Sequence, residues 1–248
     1  MIRPVAKKKT KGIALQPPDL EEDRKTPIRR EELAMVMQPR SQIAEQFRGL
    51  RNSIHALNPD GASHTLVVTS ALRGEGKTVA CLNLAAAMAE LPGNEVLVID
   101  ADLHHPAIEQ YLDLERRQGL TEVLRGTLAH DRACRQTSLS GVSIMGAGEL
   151  PTNPSELLGS DRMRTVIHRL KQSYSYVLID TPEAMTISDA SLLGGMADGI
   201  LLCVRLGETS RHYTEQTSNA LEAMGGNVLG MCLTGANLKD TSANYSAR

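Results

Sequence analysis

Short apolar runs alternate with longer amphipathic segments along most of this chain, and the alternation itself predicts the architecture. The run at Leu66 to Thr69 is β-branched and brief, the pattern of a strand buried on both faces. Comparable runs recur at Glu95 to Asp102 (EVLVIDAD), Val142 to Gly148, Tyr176 to Asp180, Gly199 to Val204 and Val228 to Leu233. Between them lie helical patterns. Lys77 to Glu90 carries alanine, leucine and methionine on nearly every face, and Gly119 to Gly126 reads as a short helix. Asn153, Pro154, Ser155 and Glu156 form a helix start with a cap, proline at the first helical position and glutamate at the third. From Asp161, Met163, Val166, Ile167 and Leu170 share one face, and a further helix runs from about Ser210 to Met224. Strands alternating with helices predict an α/β fold, a doubly wound, mostly parallel sheet with helices on both faces.

The two ends read differently. Residues 1–40 hold five of the eleven prolines, ten Lys or Arg and six Asp or Glu without an aromatic residue, the composition of a tail. The cluster Lys7, Lys8, Lys9 and Lys11 reads as a solvated charge run rather than a lipid contact. Ser41 then caps an amphipathic helix over 41–58, with Ile43, Phe47, Leu50, Ile54 and Leu57 at helical spacing. Glu45, Arg48 and Arg51 recur every three residues on its polar side, either a solvated face or a surface offering both signs of charge to a neighbour. Asn58 to Gly61 turns the chain into the first strand, opening a nucleotide domain over 59–237, and residues 238–248 form a small, polar tail carrying Tyr245.

Composition removes several functions. A net charge of −2, aromatic content of 2% and no Trp leave neither a basic face nor stacking platforms for nucleic acid. No apolar stretch approaches the roughly 20 residues that a membrane span requires, and MIRPVAKKKTKG lacks the apolar region of a signal peptide, so the chain reads as cytoplasmic. Cys81, Cys134, Cys203 and Cys232 are widely spaced, which predicts neither a disulfide framework nor a zinc site.

The candidate chemistry centres on HTLVVTSALRGEGKTVA, residues 64–80: an apolar run, a turn containing Gly74 and Gly76, then Lys77-Thr78 opening a helix. This is the pattern of a phosphate loop. Amides of the turn can point inward around a polyphosphate at the positive helix end, Lys77 can reach the outer phosphates, and the Thr78 hydroxyl can ligate magnesium. Ala71 stands where the first glycine of G-x-x-x-x-G-K-[ST] is expected. Asp100 and Asp102 follow one apolar strand and Asp180 follows another, in the manner of a Walker B strand. In an open parallel sheet such strand ends face the ligand.

These motifs together are specific. The order EQFRGLR at 45–51, SALRGEGKT, VLVIDADLHHP, AGELPTNPSELL and VLIDTPE resembles the bacterial tyrosine kinase family, cytoplasmic autokinases of capsule and exopolysaccharide assembly, over residues 41–237. Related cell-division and partition ATPases carry a signature lysine where this chain has Leu72. The resemblance implies ATP and Mg2+ as cofactors. Arg73, Gly74, Glu75, Gly76, Lys77, Thr78 and Val79 would hold the phosphates, and Thr78, Asp100 and Asp180 the metal. Lys77 would steady the β and γ phosphates, and Asp102 would act on the acceptor hydroxyl. It also implies self-association through Glu45, Arg48 and Arg51, and a separate transmembrane partner of the chain-length-regulating type, which would hold the protein at the inner face of the membrane. The chain departs from the family at Arg73, Glu183 and the pair His104-His105. Thr234 replaces an Asn that often reads the adenine, leaving base recognition to Arg205 and backbone groups. Where the family ends in several tyrosines, this chain has only Tyr245 after residue 213, so Tyr245 is the candidate phosphoacceptor. A phosphate-loop ATPase switch transferring phosphate to water would need nearly the same constellation, and stands as the alternative.

Overall fold

The computed structural model describes residues 30–58 and 60–236. The lysine cluster at 7–11 and Tyr245 lie outside the described residues. One sheet is formed by β1 (His64–Ser70), β2 (Val96–Asp100), β3 (Arg135–Gln136), β4 (Val142–Met145), β5 (Tyr176–Asp180), β6 (Gly199–Arg205) and β7 (Val228–Thr234). Their spatial order is β3-β4-β2-β5-β1-β6-β7, with β3 antiparallel to β4 and the other neighbours parallel. The helices are α1 (Ala34–Met37), α2 (Gln42–Ala56), α3 (Lys77–Ala89), α4 (Ile108–Tyr111) and α5 (Leu120–Arg125), followed by α6 (His130–Ala133), α7 (Pro154–Leu158), α8 (Asp161–Leu170), α9 (Asp189–Gly194) and α10 (Arg211–Ala223).

Both faces of the sheet are covered, which is why its central strands read as unbroken apolar runs rather than as alternations. Leu66, Val68, Val96, Val98 and Leu178 pack with Ala80, Cys81, Leu84 and Met88 of α3. Val67, Leu97, Ile99, Val177 and Ile179 face the other way, toward Met163, Val166, Ile167 and Leu170 of α8 and Leu221 of α10. The apolar belt around α3 has the same origin. That helix lies between the sheet and a further helical layer, so Ala87, which packs with Met35 and Ala44 of that layer, is buried as well.

Part of that outer layer lies in the segment that composition assigned to a tail. Residues 30–37 form a 3-10 turn (Arg30–Glu32) and α1, with Leu33, Ala34 and Met35 buried. The correction has a local cause: LAMVM is the longest apolar run in an otherwise mostly polar stretch, and burying a side chain of this size contributes roughly 1.5–3 kcal/mol. Asn83 of α3, fully buried, fixes the register. Its Oδ1 accepts from the Met35 amide at 2.9 Å, and its Nδ2 donates to the Glu32 carbonyl at 3.0 Å and the Val79 carbonyl at 2.9 Å.

Ser41 caps α2 by accepting from the Ala44 amide at 3.2 Å. Its buried stripe is narrower than the periodicity suggested. Ala44 and Ile54 are buried and Phe47 and Leu50 partly so, but Ile43 and Leu57 stay exposed because the helix packs mainly through one side, against α1 and α3. Two further details differ from the sequence pattern. Asn153 occupies the cap position of α7 but makes no cap bond, its amide turning instead to Glu156 at 3.3 Å. Strand β4 stops at Met145, short of Gly148, because the Gly146 and Ala147 carbonyls leave the ladder and accept from Leu120 and Thr121 at the start of α5.

Candidate active site

The site lies where β1, β2 and β5 end together. The register sets Asp100 of β2 opposite Asp180 of β5, and Val68 of β1 opposite Asp180, so both carboxylates emerge beside the loop that follows β1. Residues 71–76 form that loop. Gly74 and Gly76 have φ of 84° and 82°, values that L side chains rarely adopt, which explains why glycine stands at these two positions. Ala71 is not among the positive-φ residues, so the alanine in place of the first glycine costs the backbone no strain.

The loop is held from outside. Ser70 Oγ donates to the Leu72 carbonyl at 2.7 Å, and the Leu72 amide donates to Glu75 Oε2 at 2.7 Å. Thr234, at the end of β7, donates its hydroxyl to the Glu75 carbonyl at 2.7 Å, and Arg205, at the end of β6, reaches the Gly74 carbonyl at 3.2 Å. Cradling a polyphosphate requires amides directed inward, and carbonyls tied outward are the geometric counterpart. Burial raises the pKa of the Glu75 carboxyl, against the lowering effect of the Leu72 amide and Lys77. Arg73 is exposed at the loop's outer turn, and Val79 lies one turn into α3 beside Gly76 on the wall of a groove.

Inside the loop five side chains converge. Lys77 opens α3 with its Nζ 3.7 Å from Asp102 Oδ2, both largely buried. The Thr78 hydroxyl donates to Asp180 Oδ2 at 2.7 Å. Asp100 Oδ2 accepts from the Ala107 and Ile108 amides, each at 3.0 Å, and Asp102 Oδ1 accepts from the His105 amide at 2.9 Å. The remaining oxygens of Asp100 and Asp180 are buried without a partner. Burial, then the neighbouring Asp180, pushes the Asp100 carboxyl well above its ordinary range. Burial also lifts Asp180 to about 7, opposed by Lys77 and Thr78.

Two orphaned carboxylate oxygens beside a hydroxyl make an all-oxygen set, the preference of a hard cation such as magnesium. Among the described residues no three His, Cys, Asp or Glu side chains close on one point. Magnesium commonly keeps water and substrate phosphates as ligands, so the three groups need supply only part of its shell.

A second cluster borders the site and left no spacing signal in the sequence. Asp189, fully buried at the start of α9, accepts from Ser155 at the start of α7 and lies 3.2 Å from His104 Nε2. It ties together the chain after β2, the TNPSE turn and the segment after β5. On the opposite flank, Arg48 bonds Glu90 at 2.5 and 2.8 Å and Glu45 at 2.6 Å, and Arg51 reaches Glu90 at 3.1 Å and the Ala87 carbonyl at 3.0 Å. The charged stripe of α2 thus serves the contact between α2 and α3 within this chain. Thr234, which stands in place of the Asn that the resemblance implies, anchors the loop, and Arg205 lines the groove that continues from Gly76 past Val79 toward β7.

Known proteins share this arrangement. Residues 64–225 match the AAA domain family. Tyrosine-protein kinase YwqD of Bacillus subtilis is 32% identical over 223 residues, 90% of this chain and 93% of that protein. Tyrosine-protein kinase etk of Escherichia coli is 32% identical over 211 residues, but the match covers only 29% of its length. The kinase domain of Escherichia coli tyrosine kinase ETK superposes with a TM-score of 0.79 at 31% identity, covering 82% of this chain and 80% of that one. The septum site-determining protein MinD from Pyrococcus horikoshii, complexed with Mg-ADP, superposes at 0.58 with 25% identity, covering 69% and 70%. By the phosphate loop, the paired strand-end carboxylates and these likenesses, the chain belongs to the bacterial tyrosine kinase family within the AAA domain group.

Proposed function

We propose that the protein is an ATP-dependent tyrosine autokinase regulating exopolysaccharide or capsule polymerisation and export. The observation that carries this is the convergence of Lys77, Thr78, Asp100, Asp102 and Asp180 at one strand edge, in a chain whose relatives are named tyrosine kinases. Magnesium held by Thr78, Asp100 and Asp180 would neutralise charge on the bound phosphates of ATP. Arg73 to Val79 would wrap those phosphates, with Arg205 toward the base. Phosphoryl transfer asks little covalent chemistry of the protein. Its transition state spreads charge over equatorial oxygens, so positioning and electrostatic stabilisation dominate. Lys77 supplies a fixed positive charge to those oxygens. Asp102, held by the His105 amide beside Lys77, accepts or orients the acceptor proton, which a phenol of pKa near 10 does not release alone at neutral pH.

The acceptor is Tyr245 of another subunit. Among the described residues, Tyr176 is buried in β5 and Tyr111, Tyr174 and Tyr213 are held within or beside helices and strands. Burial raises the hydroxyl of Tyr111 and pushes Tyr174 up to about 12. Purified protein given magnesium and γ-labelled ATP should therefore place label chiefly on the peptide containing Tyr245, and Tyr245→Phe should remove most phosphotyrosine. Label released only as free phosphate would move the assignment to an ATPase switch acting on a membrane partner.

Self-association through Glu45, Arg48 and Arg51 brings the acceptor to a neighbour's site. Because Arg48 and Arg51 also hold Glu90, the test needs a fold control. Glu45→Ala with Arg48→Ala should lower the mass by light scattering toward that of a monomer while the far-UV circular dichroism stays unchanged. An unchanged mass in the folded variant would rule out this interface. Among the described residues no helix is long and apolar enough to cross a membrane. We place the kinase beneath the membrane through a separate transmembrane co-polymerase of the chain-length-regulating type, consistent with longer relatives in which the matching region is only part of the chain.

A further inference from the structure

The phosphate loop leans on two strands that carry a pair of thiols. Cys203 of β6 and Cys232 of β7 are register partners in the parallel ladder and belong to the same packed face, beneath α3. Neighbouring strands lie about 4.8 Å apart, inside the roughly 4.4–6.8 Å between Cα atoms that a disulfide spans. Both are free thiols. Cys203 is fully buried, and Cys232 is 9% exposed where it lines an open groove of about 540 Å³ shared with Gly76, Val79, Arg205 and Thr234. A small oxidant can therefore reach one member of the pair. Two residues beyond each cysteine stand the groups that grip the loop: Arg205 on the Gly74 carbonyl and Thr234 on the Glu75 carbonyl.

We propose that Cys203 and Cys232 are a thiol–disulfide modification site for hydroperoxides, through which oxidation alters the hold of β6 and β7 on the phosphate loop. The chemistry balances. Cys232, whose thiol pKa the neighbouring Cys203 lowers against the raising effect of burial, attacks the peroxide as thiolate. The O–O bond breaks, the leaving oxygen takes a proton to become water or alcohol, and Cys232 becomes a sulfenic acid. The Cys203 sulfur then attacks the Cys232 sulfur, the S–O bond breaks, and the hydroxide leaves with the Cys203 proton as water. The two sulfurs together lose the two electrons that the peroxide gains. An S–S bond of about 2.05 Å is much shorter than a thiol–thiol contact, so its formation draws β7 against β6 beside Thr234 and shifts the hydroxyl that holds Glu75.

The consequence for nucleotide rests on the proposed ATP site; the thiol pair does not. The full chain is treated with hydrogen peroxide, remaining thiols are blocked with iodoacetamide, and the protein is digested without reduction. The expected product is a linked peptide pair containing Cys203 and Cys232, lighter by two hydrogens than its parts. The affinity for a fluorescent ATP analogue should fall about tenfold and return with dithiothreitol. Cys203→Ser, and Cys203→Ala as a second variant, should give no linked pair. Alkylation of both cysteines in full after peroxide, or oxidation confined to the half-exposed Cys134, overturns the site. A linked pair with unchanged nucleotide affinity overturns its influence on the loop. Reduced protein that ignores the ATP analogue counts against the proposed kinase, while the linked peptide still decides the thiol pair.

Discussion

Lys77→Met should reduce phosphotyrosine formation on the order of 100-fold or more, the scale on which removing one preorganised group from a charge-stabilising site slows an enzyme. Methionine keeps the length and the apolar stem, so α3 and the sheet below it should hold, and circular dichroism should match the parent. What disappears is the one cation whose Nζ stands 3.7 Å from Asp102 Oδ2, with Asp180 also within its electrostatic reach. Lys77→Arg should not restore the rate, because a planar guanidinium cannot take the place of a compact ammonium in so closed a loop. Rates from single-turnover transfer of labelled phosphate decide the matter. A folded Lys77→Met protein that transfers phosphate at the parental rate would remove Lys77 from the mechanism.

The fold was legible because five of the seven strands, all but β3 and β7, are buried almost throughout. VLVID and YVLID could be read as strands without knowledge of their neighbours, and the carboxylate at each end then marked the ligand edge. The phosphate loop was legible for a similar reason: the backbone at Gly74 and Gly76 admits few residues other than glycine, so geometry leaves a trace in composition. Where neighbours rather than local chemistry determine the structure, the sequence was mute. Strand β3, two residues long, exists only because β4 offers an edge. The ordered stretch at 30–37 depends on Asn83, a polar residue in an apolar helix whose partners lie 48 and 51 positions away.

The site shows the same division. Lys77, Thr78, Asp100, Asp102 and Asp180 stand out from motif spacing. The His104, Asp189 and Ser155 cluster does not, because its members come from three separate segments with no shared period. In the sequence Thr234 stands out only for what it lacks, an amide able to read adenine. Its position reveals instead a hydroxyl used on the Glu75 carbonyl, a role that any alignment of polar residues would miss. Glu45, Arg48 and Arg51 carried a recognisable charge pattern, yet Arg48 pairs with Glu45 and both arginines with Glu90 in the same chain. Spacing identifies the face of a helix; it does not say whether the face is satisfied from within.

Asp180→Asn should abolish activity and, without metal or nucleotide, make the protein more heat-stable near neutral pH and above. Asp180 is almost fully buried, has one oxygen without a partner and faces Asp100 across the ladder. Burial raises its pKa from 3.8 to about 7 in the folded protein. Between those values the unfolded chain releases the proton while the folded chain keeps it. The stability associated with this group is therefore fully present below about pH 4, is lost as pH rises toward 7, and stays lost above. Asparagine carries no charge to bury, and its amide oxygen can still accept from Thr78, so the variant escapes that loss. Its gain in Tm should be greatest at about pH 8 and should shrink as the pH is lowered toward 5, where the parent is itself protonated. Magnesium should reverse the ranking, raising the melting temperature of the parent by binding its ionised carboxylates and leaving the variant unmoved. Thermal melts with chelator and with magnesium, across this pH range, test both halves. An Asp180→Asn protein that melts below its parent at about pH 8 in chelator would show that this carboxylate stabilises the fold rather than burdening it for the sake of the metal.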